Sequence, residues 1–365
     1  MLTRFRVRNY RGFRDAVTLN LGSPRDYTFN SEYVTDGVVS NALVIGENAS
    51  GKTNLVKAIA DVCTNYYAPG VATVITGDES FVNADGREPF ATFEYTFRLL
   101  GQTVSYQYTK GSDYRLRKEK LLVGDTVVFD YDTESGRLLT SNLGAVGAGE
   151  LNWKFSGDYS SALAYLSSNA PIRQGDLLDE LRTSTTQIYT IVQDGLGSSR
   201  TVSRCLADIV RKNRVAELEA FLRDFGIDER LRIHEDADGS KAVYSVHARP
   251  LPFAECMSSG TRTLVLLYYV YELSPNGRLF LLDEFDAYCH FELAERLVRY
   301  FGSASGRQTI STTHNTSLTR NGVMRPDCIF KFDTRGMLAP LSERTSRELR
   351  MGNNIERLLR NGEFD

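Results

Sequence analysis

Gly46-x-x-x-x-Gly51-Lys52-Thr53 constrains this chain more than any other stretch. In that spacing successive backbone N–H groups ring a phosphate, with the lysine reaching toward it. A helix opening at Lys52 aims the positive end of its dipole at the same anion. The flanks agree: Asn41-Ala-Leu-Val-Ile45 reads as a buried strand and Asn54-Leu-Val-Lys-Ala-Ile59 as a helix start. Gly46, Glu47, Asn48, Ala49, Ser50, Gly51, Lys52, Thr53 and Asn54 are therefore the expected phosphate-binding residues. Many chemistries share such a loop, so the rest of the chain must decide between them.

The 365 residues are 42% hydrophobic and 24% charged, with a net charge of −3. This is the composition of a globular chain, long enough for one large domain or two intimate lobes. No apolar run is long enough to cross a bilayer. Met1-Leu-Thr-Arg-Phe-Arg-Val-Arg interleaves charge with apolar residues, unlike a signal peptide. Cys63, Cys205, Cys256, Cys289 and Cys328 are dispersed singles, which fits reduced thiols in a cytoplasm better than disulfides or a zinc site. Mild acidity argues against a coat of basic charge for nucleic acid. The run Lys110–Lys120, "KGSDYRLRKEK", is the one local exception, and a solvated hairpin face is its simpler reading.

Along the chain, Arg4–Arg8 and Ala16–Leu21 alternate like strands around the turn Asn9-Tyr10-Arg11-Gly12-Phe13. Helix is expected from the phosphate loop to about Tyr67. Phe93–Leu99, Thr103–Tyr108 and Thr126–Tyr131 repeat aromatic and β-branched residues at period two, an antiparallel meander. From Ser161 to Phe225 the apolar spacing becomes helical, interrupted by the loop-like "QDGLGSSRT" of Gln193–Thr201. Leu231–His234 and Ala242–His247 look like a returning hairpin.

A phosphate loop needs a carboxylate for magnesium at the end of a buried strand, and Arg278-Leu-Phe-Leu-Leu-Asp283-Glu284 supplies one. Asp283 would hold Mg²⁺ with the hydroxyl of Thr53, and Glu284 would polarise the attacking water. Such a separation from the loop is longer than simple GTPases and kinases keep. Ahead of the acids stands Cys256-Met-Ser258-Ser259-Gly260-Thr-Arg262 before an apolar helix, a second anion-binding N-terminus. One explanation is that it serves the nucleotide of another copy. Gln308–His314 is a strand ending in a histidine, placed to touch the γ-phosphate.

In this order the motifs resemble the ABC-type ATPase heads of the RecF, SMC and OLD group, and closest of all the small phage-resistance ATPases of the AbiLi type. "NYRGFRD" looks like that group's N-terminal strand and turn, and "GENASGKTN" is similar to its phosphate loop (Walker A), with Ala49 for a frequent glycine. "MSSGTR" looks like its ABC signature, with Ser258 and Gly260 in the matching positions. "LLDEFDAYCH" matches the magnesium strand (Walker B) and the next loop, with His290 in place of an aspartate, and His314 falls at the switch histidine. No coupling glutamine stands out among Gln102, Gln107 and Gln174.

The resemblance implies an α/β fold: a P-loop NTPase head of mixed sheet plus antiparallel meander, with an inserted helical lobe. The head's first part would span 1–157, the lobe 158–230 and the second part 231–365. It also implies ATP and Mg²⁺ as ligands, with Lys52, Glu284 and His314 catalytic. Two copies would close head to tail, Ser258, Ser259 and Gly260 of one facing the γ-phosphate held by Lys52 of the other. The expected role is an ATP-driven switch or sensor in bacterial anti-phage defence, acting on a separate effector protein. The competing role is a RecF-like DNA-binding ATPase in repair. A kinase or other transferase lacks an identifiable acceptor site. Asp327, Asp333, Glu343 and Glu348, which follow His314, are too scattered to suggest the metal nuclease site of the OLD type.

Overall fold

Two sheets clasp the helix that follows the phosphate loop. The computed structural model describes residues 1–67, 81–155, 161–191, 199–235, 239–274 and 276–365. Its first sheet is antiparallel and contains β1 (Leu2–Arg8) and β2 (Val17–Asn20) from the start of the chain. A short ribbon, β3 (Val34–Thr35) and β4 (Val38–Val39), then leads to β5 (Asn41–Ile45) and α1 (Lys52–Ala60). β6 (Phe90–Leu99), β7 (Gln102–Gly111), β8 (Leu116–Val123), β9 (Thr126–Asp132) and β10 (Arg137–Ser141) complete the first sheet in the order β10-β9-β8-β7-β6-β1-β2. Period two is visible in β6, where Ala91, Phe93, Tyr95, Phe97 and Leu99 are buried and their neighbours are less so.

The second sheet takes β5 together with β11 (Ile188–Ile191), β15 (Leu279–Leu282), β16 (Gln308–Thr313), β17 (Ile329–Phe332) and β18 (Leu338–Pro340), in the order β11-β15-β16-β5-β17-β18. All its pairings are parallel except β17 with β18. Parallel strands are covered on both faces, which is why every residue of β5 is buried. A third sheet joins β12 (Leu231–Glu235), β13 (Lys241–Ser245) and β14 (Leu251–Pro252), bearing out the returning hairpin.

α1 is apolar on both sides because both sheets press on it. Leu55, Val56, Ala58 and Ile59 are buried. Tyr95 Oη donates to the Ala58 carbonyl at 2.8 Å from the antiparallel side, and β11 and β15 pack on it from the other. Asp61, just past its end, accepts from Tyr108 Oη at 2.7 Å and Lys110 Nζ at 2.6 Å.

That contact corrects the reading of the basic run. Lys110 is 1% exposed and paired inside the protein. Arg117 pairs with Asp113 and Glu134, and Lys120 with Asp130. Most of the run's positive charge is thus opposed within the chain. Apart from Asp113, the acceptors Asp61, Glu134 and Asp130 lie outside the run, which does not reveal them.

The segment expected as an inserted helical lobe also needs correction. It holds α2 (Ala162–Asn169), α3 (Leu177–Thr186), α4 (Ser199–Arg211) and α5 (Val215–Asp224), but Ile188–Ile191 is β11, an edge strand of the parallel sheet in register with Leu279–Leu282. A four-residue apolar run between helices carries too little period to separate strand from helix. Part of residues 158–230 is therefore built into the head. The proposed 157/158 boundary and most of "QDGLGSSRT" lie outside the described residues.

Glu119 of β8 ties this segment to the antiparallel sheet. Its Oε1 accepts the Ala162 N–H at 2.7 Å, and its Oε2 accepts from Tyr106 Oη at 2.7 Å and the Leu163 N–H at 3.3 Å. Burial nevertheless pushes its carboxyl up to about 7, against the pull of those donors and Lys110. Between 4.5 and about 7 the folded chain then holds a proton that the unfolded chain has released. Its contribution to stability therefore falls as pH rises through that window and is level above it. Glu119→Gln is expected to flatten this slope, read from denaturation midpoints at pH 5 and pH 7. An unchanged slope would mean that Glu119 is ionised in the folded chain throughout.

All five cysteines are free thiols. Among the described residues no helix is long and apolar enough to cross a membrane.

Candidate nucleotide site

Because β11, β15, β16, β5 and β17 run parallel, their carboxyl ends open along one edge, where open α/β sheets place ligands. The loop after β5, the acids after β15 and the histidine after β16 meet there. Thr53 Oγ1 donates to Asp283 Oδ2 at 2.7 Å although 230 positions separate them. Lys52 Nζ donates to the carbonyls of Gly46 and Glu47, both at 3.0 Å, and lies 3.5 Å from His314 Nδ1. His314 Nε2 is 3.2 Å from Glu284 Oε1. An ammonium can only donate, so Nδ1 is the acceptor and the ring proton sits on Nε2, facing the Glu284 carboxylate.

Local backbone explains the residue types in the loop. Gly51 has φ 106°, and a Cβ there would come within 2.4 Å of the Phe13 ring. Only glycine fits. Ala49 has φ 61°, a left-handed conformation that costs an L-residue about 1–2 kcal/mol and that glycine adopts freely. Phe13 stacks on Phe332 with ring centroids 6.0 Å apart, so the turn "NYRGF" and β17 together floor the loop. Asn54 Nδ2 stands over Gly12, 3.1 Å from where a Cβ would project. Glu47, Asn48 and Ala49 are exposed on the open side.

Two features of the loop fit a bound polyphosphate. Ser50 Oγ is buried without a hydrogen-bond partner. Lys52 is 4% exposed, and desolvation holds its ammonium below the usual lysine range, with Glu284 and Asp283 opposing. Phosphate oxygens would satisfy the first and offset the second. Thr53 and Asp283 present a hydroxyl and a carboxylate together, a donor set of the kind Mg²⁺ takes beside phosphates.

The signature-like turn stands apart from this cluster. Ser258 Oγ accepts the Thr261 N–H at 3.1 Å, capping α7 (Ser259–Leu267) after the short α6 (Phe253–Cys256). Ser258 and Ser259 are exposed. A Cβ on Gly260 would lie 3.1 Å from the Tyr288 carbonyl, so the turn leans on the loop after the acids. His290 is exposed where that loop enters α8 (Phe291–Ser303). No hydrogen bond among the described residues joins the Ser258–Gly260 turn to Gly46–Asn54.

Two residues near the site were not legible beforehand. Phe13 supports Gly51, and Thr312 bridges the acids. Gln102 and Gln107 lie on β7 of the antiparallel sheet, and Gln174 lines a groove with Arg278 and Arg307, which precede β15 and β16 at the opposite edge. β11, however, ends beside the acids, with the Asp283 N–H donating to the Ile191 carbonyl at 2.8 Å.

Residues 161–320 match the family model described as "AAA domain, putative AbiEii toxin, Type IV TA system", less than half of the chain. No curated protein matches. Among solved structures, an Smc head bound to the C-winged helix domain of ScpA superposes with a TM-score of 0.51 at 14% identity, over 93% of this chain and 97% of that one. The Smc head domain with a coiled coil and joint derived from Pyrococcus yayanosii gives 0.50 at 11% identity, over 99% of both chains. At such identities the likeness is one of fold alone: this chain has the mixed α/β fold of the Smc head domains.

Proposed function

We propose that this chain is a Mg²⁺-dependent ATPase used as a molecular switch, its hydrolysis sites completed when two copies close head to tail on ATP. The observation that carries the reading is the Thr53–Asp283 contact of 2.7 Å beside a histidine that lies between Lys52 and Glu284. It joins a phosphate-loop hydroxyl, a metal carboxylate and a second acid that can polarise water. The loop N–H groups and Lys52 would bind the β- and γ-phosphates. Thr53 and Asp283 would hold magnesium, which when bound offsets the charge on those phosphates. Glu284 would orient and polarise the attacking water, with His314 steering its carboxylate. Ser258 and Ser259, exposed, and Gly260, half-buried, make no hydrogen bond to their own loop among the described residues and suit a role on the partner copy's nucleotide.

At a finer level the chain is read as an AbiLi-type ATPase of anti-phage defence, cytoplasmic, controlling a separate effector through residues of the 158–230 segment. The likeness of residues 161–320 to an AbiEii-type AAA domain supports this. The RecF-like alternative loses its main support, since the 110–120 run is largely paired within the chain. Nor do the acids after His314 gather as a nuclease site would need: Asp327 pairs with Arg325, Asp333 with Arg344 and Glu348 with Arg350.

Purified chain is expected to hydrolyse ATP with Mg²⁺ and to stop in EDTA. Its affinity for DNA should stay weak and salt-sensitive. No nucleotide binding, or tight DNA binding that persists in salt, would overturn the respective half of this reading.

A further inference from the structure

Three consecutive residues at the carboxyl end of β16 each hold one acid of Asp283-Glu284-Phe285-Asp286. Thr312 Oγ1 donates to Asp283 Oδ1 at 2.7 Å, Thr313 Oγ1 donates to Asp286 Oδ2 at 2.7 Å, and His314 faces Glu284. The Thr313 hydroxyl gives its second bond to the Asn315 N–H at 2.9 Å, whereas both bonds of the Thr312 hydroxyl go to the acids. Beyond its bond to Asp283, it accepts the backbone N–H of Glu284 at 2.8 Å. One oxygen, wholly buried, therefore touches both acids to which chemistry has been assigned.

Each of these bonds has a consequence. Asp283 is 2% exposed, and Thr53 and Thr312 take one carboxylate oxygen each. Together they fix the carboxylate plane, so that Oδ2 stays turned toward the phosphate loop. Without the Thr312 hydroxyl, Oδ1 loses its donor in a site that water does not reach, and the carboxylate is free to swing off Thr53. Glu284 has φ 47°, a conformation an L-residue keeps only when its surroundings hold it. The bond from its N–H to Thr312 is one restraint, and the bond from the Ala287 N–H to its carbonyl at 3.0 Å is another. A β-branched side chain suits the middle of a sheet. Valine would meet that need equally well, so it is the hydroxyl that requires a reason.

Resting on the ATPase reading above, we infer that Thr312 is a positioning residue. It sets the metal-holding carboxylate and the water-polarising residue against one point of β16, so that magnesium affinity and turnover depend on the same hydroxyl. A merely structural role would let Thr312→Val lower thermal stability and leave the response to magnesium unchanged.

The test compares binding of a fluorescent ATP analogue to the full chain in Mg²⁺ and in EDTA, alongside turnover. Thr312→Val should keep the affinity seen in EDTA, lose about 10-fold or more of the gain that Mg²⁺ brings, and lower kcat by about 10–100-fold. Thr312→Ser, which keeps the hydroxyl, should restore both. Should the valine variant fail to fold, Thr312→Cys, close in shape and a weak donor, takes its place with the same expectations. A valine or cysteine variant within twofold of the wild type in both readouts overturns the inference, as does a serine variant that rescues neither. A wild-type chain with no nucleotide affinity is a different outcome, and it removes the ATPase reading together with the role given to Thr312.

Discussion

Glu284→Gln is expected to suppress ATP turnover by about 10²–10⁴-fold, the range general-base carboxylates contribute, while ATP binding survives. The amide keeps the shape of the side chain, and Asp283 and Thr53 are untouched at their 2.7 Å contact. The variant should therefore accumulate as an ATP-bound dimer. Lys52→Ala should fail earlier. Its ammonium is buried beside the Gly46 and Glu47 carbonyls and is the charge aimed at the phosphates, so ATP affinity itself should collapse. Equilibrium binding and sedimentation on both variants separate the two roles, and equal loss of binding in both would contradict the division.

Ser258→Arg should cost a similar amount by a different route. Within one chain Ser258 and Ser259 are exposed, and among the described residues the turn makes no hydrogen bond to the phosphate loop, so a self-contained enzyme would tolerate the change. In a closed pair the N–H groups opening α7 would meet the charge that develops on the other copy's ATP. Losing such a donor typically costs about 3–4 kcal/mol, or 10²–10³ in rate. The arginine variant should bind ATP and not turn it over. Mixed with Lys52→Ala protein it should regain about one working site per heterodimer, each chain supplying what the other lacks. If a verified heterodimer stays inactive, sedimentation of Glu284→Gln with ATP decides the matter: a strict monomer there ends the shared-site reading.

What could be read in advance depended on how far apart the interacting residues lie in the chain. The phosphate loop is contained in one short stretch with its strand and helix, and β6 shows its period within ten residues. Asp283, Glu284 and His314 were legible as types at strand ends, but the 230 positions between Thr53 and Asp283 had to be closed by the fold. Where a partner lies far off, sequence reasoning failed. Lys110 looked like one more surface cation, since nothing near it announces Asp61. β11 was absorbed into a helical stretch because its four residues matter only beside β15. Thr312 reads as an ordinary strand threonine until Asp283 and Glu284 arrive at its hydroxyl.

The placing of β5 bears on how the chain is made. This strand leads into the phosphate loop, yet both its neighbours, β16 and β17, are drawn from residues 308–313 and 329–332. While the ribosome is still working through the middle of the message, the loop has its motif but neither bordering strand, and Phe13 has no Phe332 to stack on. Pairings of such sequence separation form late and slowly. Until they form, β5 is an unprotected apolar edge that invites association with other unfinished chains. On the proposed ATPase reading, a nascent fragment that stops short of Phe332 would lack both strands that border the loop, and nucleotide binding is expected only once translation has passed that point.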